Sequence, residues 1–325
     1  MLAVKFILKM SFIKGIVITM NLLSEIECLS KSAKLDIGLA INYIERDEEF
    51  MFNADVLYHM ASVVKIPIMF EAFRQIEIDK NLALDERLEL RDHYKLSGTG
   101  ILKFLNEGLL LTVEDLITLM IIISDNTATD ILLDRIGGPL KVDKTMKLLG
   151  LRDIHVKMTI RQAHWDRGIR CEPLIDPREA KRYMNELQLI FDSESYKASI
   201  QGNSASPRAM NQLLCKIYNG EVLSKRSCDK MMDILYKQQL NTRIPLKLPR
   251  CTLVAHKDGT IPGVANDSGI IEISNKNHCA ITVFTRDIEF MRSKDMNKAL
   301  ERLPIIESII GDIALMAYNY GKTID

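Results

Sequence analysis

The sequence lacks an excess of charge of either sign and is poor in aromatic residues. Its 43 Lys and Arg residues balance 43 Asp and Glu residues, and aromatic residues make up 6% of the 325-residue chain. Nucleic acids and anionic membranes are bound through an excess of basic residues, so the balance argues against both as partners. The 47% hydrophobic content argues against disorder, since disordered chains combine low hydrophobicity with high net charge.

Motifs that hold metals, nucleotides or redox thiols are also missing. The two nearest of the six cysteines, Cys215 and Cys228, are too far apart for a CxxC pair, and no HExxH, GxSxG or GxGxxG pattern occurs. Gly321-Lys322-Thr323 ends like a phosphate-binding loop, but Met316 stands where that loop needs its first glycine. We therefore expect no metal and no cofactor, and buried thiols in preference to disulfides.

Residues 1–20 contain no apolar run long enough to cross a membrane. Lys5, Lys9 and Lys14 interrupt the apolar residues, and no small-x-small cleavage site follows them. We expect an extension outside the fold or a natural start at Met20, with a signal peptide as the alternative. This favours a cytoplasmic protein without stable membrane insertion, and export to the periplasm or cell exterior is the alternative location.

Strand-like segments occur near both ends of the chain, and helical periodicity dominates between them. The predicted strands are Asp36–Ile44, Glu49–Asn53, Thr252–Lys257, Ser268–Ser274 and Cys279–Thr285. This arrangement indicates an α+β fold, in which helices flank an antiparallel, five-stranded-type sheet built from both chain ends. We expect one two-lobed domain over residues 21–325, with an α/β lobe at about 21–60 plus 215–325 and an inserted all-helical lobe at about 61–214.

A serine and a lysine lie three positions apart in the segment Ser62-Val63-Val64-Lys65. If a helix begins near Ala61, these positions share one face, so a hydroxyl lies beside an ammonium group. A partly desolvated lysine placed in this way can act as the base for a serine nucleophile. Pro67 removes a backbone donor early in the helix, which predicts a tight or distorted first turn. The same letters also fit a helix N-cap serine followed by a surface lysine.

Two further polar motifs follow apolar segments. Ser124-Asp125-Asn126 ends a buried helix that the capped segment Thr112–Asp115 begins. Lys257-Asp258-Gly259-Thr260 ends the predicted strand CTLVAHK. Taken singly, the first fits a helix–helix turn and the second a hairpin turn, because Ser, Asp, Asn and Gly favour such turns.

The ordered motifs SxxK, SDN and K-x-G, with the third on a strand, resemble those of the penicillin-recognising serine hydrolases, most closely the class A β-lactamases. The similarity extends to SDNTATDILLDRIGGP at Ser124–Pro139, to SASPRAM at Ser204–Met210 and to NTRIPLKLP at Asn241–Pro249. It covers the chain from about Asn21 to its C-terminus. The resemblance implies the β-lactamase and transpeptidase fold and an acyl-enzyme mechanism.

The first two motifs of this family imply the catalytic residues. Ser62 would be the acylated nucleophile, and Lys65 would be its proton acceptor or the organiser of a base. Ser124 would carry a proton toward the leaving nitrogen, and Asn126 would hold the side-chain amide of the substrate. A buried site of this kind, with two lysines, favours an anionic substrate and a lowered lysine pKa.

The third motif implies the substrate-binding edge. Lys257 would attract a substrate carboxylate, and the backbone N–H groups of Ser62 and Thr260 would form the oxyanion hole. Gly259 suits this edge because a backbone without a Cβ atom can approach the substrate closely.

Two residues depart from the family pattern. Asp258 stands where the family carries a hydroxyl residue, and its carboxylate would repel a substrate carboxylate unless it turns away or pairs with Lys257 or His256. Glu172, in the segment RCEPLID, is the best match to the glutamate that activates the deacylating water, although Asp176 stands where the family has Asn. Its competitors for this role are Asp166, Glu179 and Glu186.

The sequence therefore predicts a serine hydrolase of class A β-lactamase type that opens a β-lactam amide through an acyl-enzyme on Ser62. Alternatives on the same scaffold are a D-Ala-D-Ala carboxypeptidase or penicillin-binding protein, an esterase, and a non-catalytic ligand-sensing relative. The expected partner is a small anionic substrate, and the expected state is a monomer. Without a correctly placed general base, the acyl-enzyme would persist.

Overall fold

The computed structural model describes residues 22–46 and 48–324. The predicted N-terminal extension, residues 1–20, lies outside the described residues. The strands are β1 Leu35–Tyr43, β2 Glu48–Phe52, β3 Tyr58–His59, β4 Arg87–Glu89, β5 Leu110–Thr112, β6 Ile154–His155, β7 Ser204–Ala205, β8 Val254–Ile261, β9 Val264–Ser274 and β10 Asn277–Asp287. Five of them form one antiparallel sheet in the order β2-β1-β10-β9-β8. The predicted α+β class, with a five-stranded sheet built from both chain ends, is confirmed.

The helices lie mostly between β3 and β8. They are α1 22–33, α2 Lys65–Arg74, α3 Val113–Ile122, α4 Asn126–Arg135, α5 Pro139–Leu148, α6 Ile160–Asp166, α7 Pro177–Glu186, α8 Glu194–Lys197, α9 Pro207–Tyr218, α10 Lys225–Leu235, α11 Ile288–Ser293 and α12 Met296–Thr323. Short 3₁₀ turns occur at Ala61–Val64, Asp92–Tyr94, Leu102–Phe104 and Ile244–Lys247, and a π turn follows α2 at Gln75–Asp79. Helices α2 to α8 lie between β3 and α9 in the chain.

The sheet separates two apolar cores. Successive side chains of a strand point to opposite faces, so neighbours in β10 belong to different cores. Val283 packs with Ile310 and Ile313 of α12, whereas Phe284 packs with Leu213 of α9 and with the helices of the middle segment. Both faces of the sheet are therefore covered, and its central strands β1, β10 and β9 are buried on both sides.

The last hairpin differs from its sequence-based prediction. The Asp258-Gly259 pair does not form a turn, because β8 continues through it to Ile261. The chain reverses instead at Pro262-Gly263, where Gly263 adopts a φ of +76° that favours glycine. Strand β9 therefore begins at Val264, earlier than the predicted start at Ser268. The third motif, Lys257–Thr260, therefore lies entirely within β8.

Cysteine placement agrees in part with the prediction of buried thiols. All six cysteines are free, and Cys171, Cys228 and Cys279 are buried, but Cys28 and Cys251 are exposed. Within the described ranges, no helix has the length and hydropathy needed to cross a bilayer. The same residues contain no cluster of His, Cys, Asp or Glu that could hold a metal ion.

Candidate functional site

A 3₁₀ turn presents Ser62 at the start of α2. Ala61 adopts a φ of +48°, and its N–H donates to His59 Nδ1 at 2.8 Å. The N–H of Val63 donates to the carbonyl of Met60 at 3.1 Å, which tightens the turn. The predicted distorted first turn is therefore present, and Ser62 lies before the regular helix begins at Lys65. The Ser62 side chain is half-buried and faces a cavity.

The Lys65 side chain is fully buried and reaches the second motif. Its Nζ donates to the Ser124 carbonyl at 2.7 Å, to Ser124 Oγ at 3.0 Å and to Asn126 Oδ1 at 2.9 Å. Burial lowers the pKa of Lys65 well below the ordinary lysine value, and the charge of Lys257 lowers it further. A lowered pKa favours the neutral amine, which is the form that can accept a proton from a neighbouring hydroxyl.

The turn between α3 and α4 fixes the second motif. Ser124 adopts a φ of +57°, and the Asp125 side chain caps α4 by accepting the Ala128 N–H at 3.0 Å. Asp125 also accepts the N–H groups of Ile101 and Leu102, which ties the neighbouring loop to the turn. These bonds hold Ser124 and Asn126 in place beside Lys65, so the turn that polar residues favour also serves the site.

Strand β8 packs directly against the Ser62 turn. A Cβ atom placed on Gly259 would lie 2.8 Å from the Ser62 nitrogen and 2.7 Å from the Met60 oxygen. Both distances are too short for a side chain, so only glycine permits this approach. Arg243, which is 2% exposed, donates to the Gly259 carbonyl at 2.8 Å and to Thr260 Oγ1. This buried guanidinium orients the edge strand beside the nucleophile.

Asp258 neutralises Lys257. Lys257 Nζ donates to Asp258 Oδ1 at 2.6 Å and to the Asp258 carbonyl at 2.8 Å. Burial raises the pKa of Asp258, but the positive charges of Lys257 and Arg243 outweigh it and hold this pKa below the ordinary value. Asp258 was predicted to repel a substrate carboxylate unless it turns away or forms an ion pair. The structure shows the ion pair with Lys257.

A cavity of about 410 Å³ joins most of the predicted site residues. Its lining includes Ser62, Ser124, Asn126, Asp258 and Thr260. Lys65 and Gly259 lie directly behind this lining, as their contacts with Ser124 and with the Ser62 backbone show. Lys257 is fully buried and does not line the cavity, so a substrate would meet Asp258 before it meets the lysine.

Glu172 is the predicted residue that the structure does not bring to the site. Its side chain is 67% exposed, lies 3.8 Å from the Arg170 guanidinium and is not part of the cavity lining. The segment after α6 instead directs Leu174 into the cavity. The prediction of Glu172 as the water-activating base does not fit this geometry, because the carboxylate faces solvent.

The competing carboxylates are also placed elsewhere. Asp166 accepts the Ser195 N–H at 2.8 Å, Glu179 pairs with Arg170 at 2.8 Å, and Glu186 is exposed. Of the described residues that line the cavity, Asp258 is the single acid.

Four basic residues of the cavity were missed by sequence reasoning. They line it together with Ser62 and are His59, Lys103, His164 and Arg167. Burial lowers the pKa of His164 to about 3, and the charges of Arg167 and Lys65 add to this effect. His164 Nδ1 lies 3.3 Å from Ser97 Oγ, which donates to the Arg170 carbonyl. No spacing in the sequence joins these residues, since the fold alone brings β3 and the end of α6 together.

Comparisons with known proteins agree with the geometry. A family model described as "Beta-lactamase enzyme family" matches residues 21–321. The β-lactamase VEB-1 of Pseudomonas aeruginosa is 30% identical over 314 residues, which cover 93% of this chain and 91% of that protein. The solved structure of the TLA-1 extended-spectrum β-lactamase is 26% identical, with a TM-score of 0.72 and coverage of 93% and 98%. A structure titled PBP-A has the same fold, with 23% identity, a TM-score of 0.69 and coverage of 93% and 96%.

Proposed function

Because this chain belongs to the β-lactamase enzyme family, we propose that β-lactams acylate its Ser62 and that the acyl-enzyme is released slowly. The chain is a serine hydrolase of the class A β-lactamase type, and penicillin-binding proteins share its scaffold. The observation that carries the proposal is the hydrogen-bonded group of Lys65, Ser124 and Asn126 beside a half-buried Ser62. We infer slow release because the one acid in the described cavity lining, Asp258, is bound to Lys257.

The proposed acylation uses three side chains. Ser62 Oγ attacks the β-lactam carbonyl carbon, and its proton passes to the neutral amine of Lys65. Ser124 Oγ, 3.0 Å from Lys65 Nζ, gives a proton to the ring nitrogen as the C–N bond breaks and recovers one from Lys65. The ring opens without losing an atom, so the substrate stays attached as one ester on Ser62.

The developing negative charge lies on the carbonyl oxygen of the substrate. The backbone N–H groups of Ser62 and Thr260 are the donors that we propose for it, and the contact of Gly259 with the Ser62 turn keeps the two segments close. Donors that are fixed before the reaction stabilise this charge without reorganising. Asn126, held by Lys65 and by the Ser97 carbonyl, is positioned to meet an amide of the substrate.

Hydrolysis of the ester needs a base for the incoming water. Asp258 is the one acid in the described lining, and its carboxylate is bound to Lys257. Glu172 faces solvent, and Leu174 occupies the lining where the same segment enters the cavity. General base catalysis contributes a factor of about 10² to 10⁴, so its loss predicts a long-lived acyl-enzyme.

Intact mass spectrometry after mixing with benzylpenicillin tests the proposal. We expect a protein species heavier by one whole penicillin that persists after free penicillin is removed. A protein that shows neither this adduct nor turnover would contradict the acylation. Rapid turnover without a detectable adduct would contradict the slow release alone. Parallel assays with a D-Ala-D-Ala peptide and a simple ester decide whether the same serine also serves those substrates.

A carboxylate placed in the cavity is expected to shorten the life of the acyl-enzyme. Leu174→Glu introduces a potential base on the segment that enters the cavity, so we expect release to accelerate by about 10²-fold. The matched control is Leu174→Gln, which has the same shape without the charge and is expected to leave release slow. Decay of the adduct mass over time gives both rates. Equal rates for the two variants would contradict the proposed lack of a base.

A further inference from the structure

Arg167 is a buried arginine whose guanidinium forms no ion pair with any carboxylate in the described residues. The residue follows α6 and is 4% exposed, and its Nε has no hydrogen-bond partner. In the described part of the chain, no carboxylate lies within ion-pair distance of it; Asp166, the nearest in sequence, accepts the Ser195 N–H. Arg170, three positions later, is exposed and pairs with Glu179. A buried charge is costly unless a partner compensates it, so Arg167 requires one.

Neighbouring elements carry further buried donors without partners. His59 Nδ1 accepts the Ala61 N–H at 2.8 Å, so the proton of the neutral ring is on Nε2, which has no partner. Burial lowers the pKa of His59 to about 3, and the charge of Arg167 adds to this, which keeps the ring neutral. The Tyr196 hydroxyl and Ser195 Oγ on α8 are also buried without partners.

Packing brings the elements that carry these groups together. Helix α8 contacts both β3, which ends at His59, and α6, which precedes Arg167. The charge of Arg167 acts on the pKa values of both His59 and Tyr196, as proximity requires. His59 and Arg167 line the same cavity as Ser62. Of this group, Arg167 and His59 are therefore the members that reach the cavity, and no described acceptor satisfies Arg167 Nε or His59 Nε2.

We propose that Arg167 and His59 form a carboxylate-binding subsite beside Ser62. A carboxylate supplies both the missing charge and acceptors for the N–H groups of these residues, and guanidinium groups bind carboxylates through two parallel hydrogen bonds. The lysine expected to do this, Lys257, is occupied by Asp258. The identity of the ligand as a substrate rests on the proposed function. The carboxylate belongs either to the acyl side chain of a β-lactam or to its ring.

Three matched substrates separate these two sources. Carbenicillin differs from benzylpenicillin by a carboxylate on the acyl side chain, and the methyl ester of benzylpenicillin lacks the ring carboxylate. If the side-chain group binds, Arg167→Gln lowers the acylation rate constant for carbenicillin about tenfold or more relative to benzylpenicillin. If the ring group binds, the same variant removes the preference for benzylpenicillin over its ester. An equal loss on all three substrates would overturn the subsite in favour of a structural role.

The control variant is Arg170→Gln, which removes an exposed arginine from the same segment. It is expected to retain the substrate preferences of the wild type, because its guanidinium is paired with Glu179 outside the cavity lining. If both variants change the preferences alike, the effect belongs to the net charge of the segment, and the subsite is refuted.

A binding measurement keeps the subsite separate from the proposed activity. Sodium acetate is expected to raise the unfolding temperature of the wild type above that in sodium chloride of equal ionic strength, and this rise is expected to vanish in Arg167→Gln. The variant without acetate is expected to unfold no earlier than the wild type, because it loses an uncompensated buried charge. Acetate stabilisation without penicillin acylation would retain the subsite and reject the function. Acylation by penicillin without acetate stabilisation and without a substrate preference would retain the function and reject the subsite.

Discussion

Ser62→Ala is expected to abolish the penicillin adduct. Alanine has no oxygen to form the ester, so the cavity can only bind the β-lactam and offer oxyanion donors to a water molecule. Loss of a serine nucleophile removes nearly all catalysis even when the other residues remain, and we expect acylation to fall at least about 10⁴-fold. The variant is expected to fold, because Ser62 is half-buried and has no side-chain hydrogen bond within the described residues. Intact mass after long incubation measures the loss.

Ser97→Ala is the matched control for this change. Ser97 lines the same cavity, but its hydroxyl donates to the Arg170 carbonyl, and the backbone carbonyl that accepts from Asn126 is unchanged by the substitution. We expect the adduct to form on this variant. If Ser62→Ala formed the adduct at the wild-type rate, the nucleophile would be another residue, which peptide mapping would identify.

Lys65→Met is expected to slow acylation by about 10³-fold. Methionine fills a similar volume without an amine, so Ser62 loses the group that accepts its proton. Stopped-flow measurement of acylation with a chromogenic cephalosporin gives the rate constant. Lys103→Met is the control, because Lys103 also lines the cavity but donates to the Gly98 carbonyl and does not contact Ser124. Equal rates in Lys65→Met and the wild type would show that another group accepts the proton.

The pH dependence gives a second readout of Lys65. Its pKa is lowered by burial and by the charge of Lys257, and the neutral form is the active base. The acylation rate should therefore rise with pH as this group loses its proton, and then level off at a lower pH than an ordinary lysine would allow. In Lys65→Met the rising limb is expected to disappear. A limb that survives in the variant belongs to a different group.

Much of the fold follows from patterns that span few residues. The alternation in Asp36–Ile44 predicts β1 to within one residue at each end, and the Thr112–Asp115 capping signal predicts the start of α3. The Asp258-Gly259 pair favours a hairpin turn in isolation, but in the structure β8 continues through it. The pairing of Asp258 with Asp267 across β8 and β9 overrides that preference. Tertiary pairing therefore decides where local signals conflict.

Only those site residues that belong to a recognisable sequence motif could be predicted. Ser62, Lys65, Ser124 and Asn126 lie in two motifs whose order is informative, and the structure brings them together. The position of Glu172 depends on the path of a long segment, and an RxEP-like stretch does not specify which way its side chain faces. Arg167 and His59 come from the end of α6 and from β3, so no single stretch of sequence records them.

The pairing of β1 with β10 has a consequence for synthesis of the protein. Leu35 lies opposite Asp287, so β1 cannot pair with its central neighbour β10 until residue 287 has been synthesised. Contacts this distant along the chain slow folding and leave strand edges exposed in the meantime. The helices between them can form earlier, but Gly259 reaches the Ser62 turn only with β8. A nascent chain that ends before β8 would therefore carry Ser62 without the Thr260 donor, and acylation competence would appear only after this strand has been synthesised.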